Sequence, residues 1–284
     1  MWYLDKIPKI AHFYWGNDTI SYTRYLTVVS FKKYNPDWCI RLYYPKIKYQ
    51  GKKTWDTHEH SQKFSGTNYL ARLFSMDIEK IEINFNNYGM DNYMPETFKA
   101  DFLRWYLLST CGGLWSDFDI LYFRPIDNFY LNIPANKHLD TLICLHSNGT
   151  EVYHSIGFLL GSINNPYYRF VNSQTYGMLD KGNYQSIGSS ILNHYFPKLL
   201  LVQQRFPALS FENINANVVY PINYTMVPYI FHTPYMHYLT EQSIGLHWFA
   251  GHPEASKFEN IIDENTHPGY DNIISQLIRQ VIWT

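Results

Sequence analysis

The sequence predicts an α/β fold with a mainly parallel central sheet flanked by helices. Two observations carry this reading. A strand–helix–strand succession opens the chain, and a later helix runs through a double glycine into another short strand. Parallel neighbours need a crossover between them, and a helix that covers the sheet is the usual one.

Residues 7–15 read as the opening strand, and Gly16-Asn17-Asp18 supplies the turn that closes it. Tyr22–Tyr34 reads as a helix that stops before Pro36, because the residue preceding a proline is pushed out of the helical region. Residues 39–44 form the second strand. Residues 46–70 are polar and rich in Lys, Gln, His and Gly, so they read as an irregular insertion, and a helix is expected over 69–78. Residues 97–110 make the plainest helix, ended by Gly112-Gly113 as a C-cap glycine ends one. Residues 114–119 follow as a short strand, and 120–123 stay extended up to Pro125. Strands are expected near 141–145 and 157–160, and a helix over Ser189–Tyr195. Residues 200–284 carry many Tyr, Asn and Pro and read as strands and loops before a terminal helix at 272–282.

Composition narrows the function classes. Acids and bases nearly cancel at a net charge of −1, against a dominant contact with nucleic acid, which needs a basic face. No uncharged apolar run reaches the roughly 18 residues of a membrane span, and no basic segment followed by an apolar one opens the chain. A soluble, cytoplasmic protein is therefore expected, with no integral membrane segment. Cys39, Cys111 and Cys144 are odd in number and widely spaced, and they read as free thiols. Aromatic residues reach 18%, with 26 Tyr and 8 Trp. Such rings pack against sugars and bases, or simply against one another in a core.

The chemistry concentrates between Ala100 and Asp127, in ADFLRWYLLSTCGGLWSDFDILYFRPID. Residues two apart on a strand point to the same side, so Asp117 and Asp119 are expected together, with Phe118 turned into the core. Two carboxylates on one side repel, and an apolar surround raises their pKa unless a cation joins them. Mg²⁺ or Mn²⁺ supplies that charge and characteristically holds substrate phosphates as well. A bare Asp-x-Asp is more often an ordinary strand end, so the context decides. Asp101, Arg104 and Leu108 share one face of the preceding helix. A simple Asp101–Arg104 pair is worth only about 0.2–0.5 kcal/mol. That is a poor reason to place it beside a double-Gly turn feeding a carboxylate strand.

At this point the run A-D-F-L-R-W-Y-L-L-S-T-C-G-G-L-W-S-D-F-D resembles the signature of glycosyltransferases containing the DXD sugar-binding region, the family 32 type, distantly related to the large glucosylating toxins. Trp105 and Trp115 stand where that family commonly has Tyr. Residues 7–15, I-P-K-I-A-H-F-Y-W, are similar to the family's opening strand, which lines the nucleotide pocket, so Tyr14 and Trp15 are candidate nucleotide contacts and Trp15 is expected to stack on the base. Tyr34-Asn35-Pro36-Asp37-Trp38 resembles a structural turn of the family. In Ser155–Ser162 the Asn often found near 155 or 156 is missing. Gln185 and Ser186 stand where relatives contact the transferred sugar and acceptor. Gly245-Leu246-His247-Trp248-Phe249-Ala250-Gly251-His252 resembles the C-terminal loop that gives the metal its third protein ligand, which makes His247 and His252 candidates.

The resemblance implies a GT-A type fold in one domain over 1–284, with a nucleotide-binding half at about 1–127 and an acceptor-side half at about 128–284. It implies a metal-dependent, retaining hexosyltransferase of bacterial or viral origin. Its donor would be a nucleotide-sugar, with UDP the expected nucleotide, and its acceptor a glycan or other hydroxyl. Mn²⁺ or Mg²⁺ would sit on Asp117, Asp119 and His247 or His252, with Asp119 the more direct ligand. Asp117 would be shared between metal, ribose and sugar. Arg104 would add a cationic contact to the donor and Asp101 would accept from its hydroxyls. Two other classes stay open: a non-catalytic nucleotide-sugar or glycan-binding relative, and a glycoside hydrolase using the two aspartates. The hydrolase is disfavoured because carboxylates two residues apart sit poorly across a scissile bond.

Overall fold

The computed structural model describes residues 6–51, 64–128, 138–147 and 152–283. The elements run β1 (Ile10–Tyr14), α1 (Tyr22–Tyr34), β2 (Cys39–Pro45), α2 (Leu70–Ser75), β3 (Glu79–Ile83), α3 (Glu96–Thr110), β4 (Gly113–Ser116) and β5 (Ile120–Tyr122). They continue β6 (Thr141–Ser147), β7 (Val152–Gly161), α4 (Pro166–Met178), α5 (Ser189–Tyr195), α6 (Leu199–Arg205), β8 (Phe211–Asn213), α7 (Val227–His232), β9 (Gly245–His247), α8 (Pro253–Ile261) and α9 (Ile273–Trp283).

Seven strands form the main sheet in the order β3-β2-β1-β4-β7-β6-β8. β2 and β4 both run parallel to β1, β3 runs parallel to β2, and β8 parallel to β6. β7 is antiparallel to both β4 and β6. The predicted mainly parallel sheet is therefore present, with one reversed strand in it. A second, two-stranded sheet pairs β5 with β9, antiparallel.

Successive side chains of a strand face opposite sides, and β1 divides the core accordingly. Phe13 packs on Phe31 and Phe118 in the cluster under α1 and α9. Tyr14 packs on Phe85 in the cluster that holds Phe98, Phe102 and Trp105 of α3. Many of the aromatic side chains serve the core: Trp105, Trp115, Trp248, Tyr122, Tyr167 and Tyr168 are fully buried.

Several helices escaped the sequence reading. α4 begins at Asn165, whose side chain accepts from the N–H groups of Tyr167 and Tyr168, with Pro166 in the first turn. The region after residue 200 is largely helical rather than stranded; its strands β8 and β9 have three residues each. Residues 114–119 are not one strand: β4 ends at Ser116, and the chain turns through 117–119 into the other sheet. Residues 52–63 of the expected insertion lie outside the described residues.

The double glycine is a requirement of backbone geometry. Gly112 and Gly113 have φ of 64° and 97°, and a Cβ on Gly113 would stand 2.5 Å from the Ile10 carbonyl oxygen. Gly113→Ala is expected to destabilise the fold by about 2 kcal/mol or more, from left-handed strain plus that collision. Urea unfolding checks it, and an unchanged midpoint would show that β1 and β4 can separate at no cost.

Candidate active site

In the strand order, β2 and β3 lie on one side of β1 and β4 lies on the other. Connections leaving the carboxyl ends of β1 and β4 therefore diverge and open a crevice, the usual ligand site of such sheets. Trp15 directly follows β1, and Asp117 directly follows β4. A cleft of about 310 Å³ opens beside Trp15, walled by Tyr44, Phe74, Lys46 and Lys48.

The loop Asp117-Phe118-Asp119 is fixed from three directions. Asp117 N–H donates to the Gly157 carbonyl at 2.8 Å, and Trp248 N–H donates to the Asp119 carbonyl at 2.9 Å. From α1, the Thr27 hydroxyl donates to the Phe118 carbonyl at 2.8 Å. Phe118 itself is buried against Phe13 and Trp15, as the sequence predicts. The two carboxylates are thus carried by a tied loop, rather than by the pleat of a strand.

Arg104 is buried at the centre. Its Nη1 donates to Asp101 Oδ1 at 2.7 Å and its Nη2 to Asp117 Oδ1 at 2.9 Å. Trp115 Nε1 donates to the same Asp117 oxygen at 2.7 Å, and the guanidinium lies 5.0 Å over the Trp115 ring. The Asp101–Arg104 pair is therefore part of a bridge to the DXD loop, beyond a helix-surface contact. Burial raises the Asp101 carboxyl to about 7, against the pull of Arg104, with the charge of Asp117 pushing the same way as burial. Gly188 closes over Asp101: a Cβ there would meet Asp101 Oδ2 at 2.6 Å. Trp105 Nε1 donates to the Ile187 carbonyl at 2.7 Å and holds that segment down.

Asp119 is served by the C-terminal loop. β5–β9 pairing sets Ile120 opposite His247, and His247 Nε2 lies 3.1 Å from Asp119 Oδ1. Ala250 N–H donates to Asp119 Oδ2 at 3.0 Å. Burial alone would raise this carboxyl. The His247 imidazole, the Arg24 guanidinium and the Ala250 amide outweigh burial and hold it below the usual carboxylate range. Phe249 makes the turn with φ of 52°, a strained value for a side chain with a Cβ. Arg24 is a further cation at the site, and it stands in no motif. Its guanidinium lies 5.1 Å over Trp15 and 5.5 Å over Trp248 and pairs with Glu259 of α8. Ser21 donates to the same carboxylate at 2.7 Å. Residues 235 positions apart carry no local signal of such a contact.

The structure brings together Asp101, Arg104, Asp117, Asp119, His247 and Trp15, and it sets four other candidates apart. His252 is the N-cap of α8, with Nδ1 accepting from Glu254 N–H at 3.1 Å, because the chain has turned away after Ala250. Tyr14 is buried on the opposite face of β1 from Phe13, and its hydroxyl donates to Glu96. Ser186 is buried, its hydroxyl exchanging hydrogen bonds with the Asp180 backbone. Gln185 is half-buried and donates to the Tyr184 hydroxyl at 2.6 Å.

The expected metal ligands are Asp117, Asp119 and either His247 or His252, and among the described residues no three His, Cys, Asp or Glu side chains stand gathered as a ready-made cage. What the loop offers is one carboxylate and one imidazole, Asp119 and His247, beside Asp117. That donor set fits Mn²⁺ or Mg²⁺ held partly by a substrate diphosphate, the arrangement such cations prefer to an all-protein cage. The buried His247 Nδ1, which has no hydrogen-bond partner, leaves the ring without a second tether.

Two outcomes follow from Arg104 and Asp101. Arg104→Met leaves the buried Asp101 carboxyl without its cation, and is expected to cost about 3 kcal/mol in urea unfolding. Adding Asp101→Asn should restore part of that loss. The folded state also holds the Asp101 proton more tightly than the unfolded chain does. Its contribution is complete below the unfolded value near 4 and is lost as pH rises through about 7. Asp101→Asn should therefore flatten the decline of stability between pH 4 and 7, and parallel wild-type and variant curves would refute the assignment.

Residues 24–139 match the family model described as glycosyltransferase sugar-binding region containing DXD motif. No curated protein matches the chain in sequence. In fold, the chain is similar to the WbbM bifunctional glycosyltransferase, with a TM-score of 0.50 at 11% identity, covering 99% of this chain and 50% of that one. It thus spans half the length of that protein. The glycosyltransferase GlyE of Streptococcus pneumoniae TIGR4 aligns with a TM-score of 0.47 at 14% identity, over 96% of this chain and 64% of that one. The PaToxG glycosyltransferase aligns with a TM-score of 0.46 at 16% identity, over 71% and 74%. No described helix is long and apolar enough to cross a membrane. Residues 24–139 are thus similar to the sugar-binding region of DXD-containing glycosyltransferases, and the chain carries them on a GT-A type fold.

Proposed function

We propose that this glycosyltransferase moves a hexose from a nucleotide-sugar, with UDP the expected nucleotide, to a hydroxyl of a glycan or similar acceptor, in a metal-dependent and retaining reaction. The observation that carries the reading is the Asp119–His247 pair standing beside an Asp117 already bridged by Arg104. Residues 1–127 would bind the nucleotide and 128–284 would form the acceptor side of one domain. The cleft beside Trp15 is the proposed seat of the base, with Lys46 and Lys48 at its wall.

Asp117, Asp119 and His247 would hold Mn²⁺ or Mg²⁺, which when bound supplies positive charge to the departing diphosphate. Arg104 fixes the position of Asp117 and presents a cation beside the donor. Asp101, covered by Gly188, anchors Arg104 and so keeps that cation from swinging. The tied loop 117–119 means that these groups are oriented before any substrate arrives, which is where electrostatic catalysis gains most. Retention rests on resemblance alone. No side chain of the site is singled out as a nucleophile, which favours displacement on one face of the sugar.

A panel of UDP-glucose, UDP-galactose, UDP-N-acetylglucosamine and GDP-mannose tests the proposal. Thermal stabilisation and slow donor hydrolysis should both require Mn²⁺ and vanish with EDTA. Asp119→Ala should lower hydrolysis by roughly a hundredfold or more. Stabilisation and hydrolysis that persist in EDTA would refute the metal, and metal-independent cleavage of a glycoside would refute the transferase reading.

A further inference from the structure

Tyr220 enters the site from a segment that no motif singled out. Val219 before it accepts from His247 N–H at 2.7 Å, and Tyr220 N–H donates to the Ala216 carbonyl at 2.7 Å. Its ring lies 5.0 Å from the His247 ring and 5.6 Å edge-on to His146. The residue is only 7% exposed, and its hydroxyl has no hydrogen-bond partner. Other buried phenols find partners, as Tyr122 does in Ser116 at 2.8 Å and Tyr43 in His12 at 3.0 Å, whereas the Tyr167 hydroxyl, deep in the other core cluster, has none. A buried O–H without an acceptor is costly and calls for an explanation.

Gly157 shows where this hydroxyl points. A Cβ on Gly157 would come within 3.0 Å of Asp117 Oδ2 and 3.2 Å of Tyr220 Oη, so the two oxygens flank the same bare stretch of backbone. Both donors to Asp117, Arg104 Nη2 and Trp115 Nε1, converge on Oδ1. The remaining oxygen, Oδ2, is turned to the Gly157 and Tyr220 side. A carboxylate only accepts hydrogen bonds, whereas a phenol donates one and also accepts. A hydroxyl complements both at once, giving its proton to Asp117 and taking that of Tyr220; water does so in the free protein, and an alcohol of a bound sugar can take its place. A phosphoryl oxygen would accept from Tyr220 but meet the charge of Asp117. A cation would suit Asp117 and leave the phenol O–H unmet.

We propose that Tyr220 Oη and Asp117 Oδ2 together bind one ring hydroxyl of the transferred hexose, making Tyr220 a determinant of which sugar is accepted. The inference rests on the nucleotide-sugar reading above. Two measurements on Tyr220→Phe test it, each on the full chain. The first is the melting temperature without ligand, which should stay level or rise, since the hydroxyl lost has no protein partner; a fall of several degrees would make it structural and overturn the proposal.

The second is calorimetric titration in Mn²⁺ with UDP, GDP and the same four nucleotide-sugars. For the nucleotide-sugar that wild type binds most tightly, the variant should lose roughly fivefold to tenfold in affinity, while its free nucleotide should bind within twofold of wild type. Deoxyfluoro analogues of that sugar should show one ring position at which wild type loses affinity and the variant loses no more. Equal binding by wild type and variant, or an equal loss for the free nucleotide, would overturn the inference and leave the donor reading intact. Failure of wild type to bind any of the four sugars, UDP or GDP would overturn both.

Discussion

The guanidinium of Arg104 is the group on which the site depends, because one rigid fork holds the buried carboxyl of Asp101 and the half-buried one of Asp117. Asp101 belongs to α3, and Asp117 to the loop after β4, so the same pair of hydrogen bonds fixes a helix to the sheet and aims the DXD loop. Trp105 and Trp115 lie over the guanidinium at 5.6 and 5.0 Å and keep water from it. In such surroundings opposite charges at 4 Å attract by roughly 4 kcal/mol, several times their value in water. The local charge balance still runs negative. Asp101, Asp117, Asp119 and Glu259 face Arg104 and Arg24, with the His247 imidazole beside Asp119. A raised Asp101 carboxyl relieves that excess from within, and a bound cation would relieve it from outside.

How much of this was legible in the sequence depended on how local the cause was. α1 is found over the residues predicted because its start and stop are local: Ser21 caps it, and Asn35-Pro36 ends it. α5 also has the expected bounds, and Asp101, Arg104, Asp117 and Asp119 stood within 19 consecutive residues. α4 has a local signal of its own in Asn165-Pro166, a capping side chain followed by a first-turn proline. β8 and β9 have three residues each, and only their distant partners make them strands. The geometry of 117–119 was misread for the same reason. A period of two describes a continuous strand, whereas here the chain leaves one sheet for another between Ser116 and Ile120.

Long-range closure explains the remaining errors and gains. His247 was expected beside the aspartates through resemblance, and the β5–β9 register is the physical cause, since Ile120 opposite His247 leaves Asp119 within reach of the ring. Two residues later the strained φ of Phe249 turns the Ala250 amide onto the same carboxylate. That turn also carries His252 out of the site and into the cap of α8. Adjacent residues of one motif therefore take opposite roles, and spacing alone could not separate them. Arg24 and Tyr220 were missed because neither stands in a motif; each acquires its place from partners more than 90 residues away, Glu259 for one and Asp119 for the other, which His247 links to the Tyr220 ring.

The location of the site follows from the order of the strands. β1 and β4 are parallel neighbours, and the connections from their carboxyl ends leave in different directions. Beyond β4 the sheet reverses, because β7 runs antiparallel to it, and Asp117 N–H extends that ladder by one bond to Gly157. The DXD loop therefore sits where a parallel half meets an antiparallel strand and where the chain crosses into a second sheet. Asp117 lies against the bare backbone of Gly157 on the side of β7, and Asp119 lies within the field of Arg24, which covers Trp15 on the side of β1. A ligand bound there would touch both halves of the main sheet at once. The parallel side offers Trp15 and the cleft beyond it, and the antiparallel side offers Gly157 and Tyr220. The proposed donor, with an aromatic, charged end and a hydroxylated end, would be divided between the two sides, with Asp117 at the division.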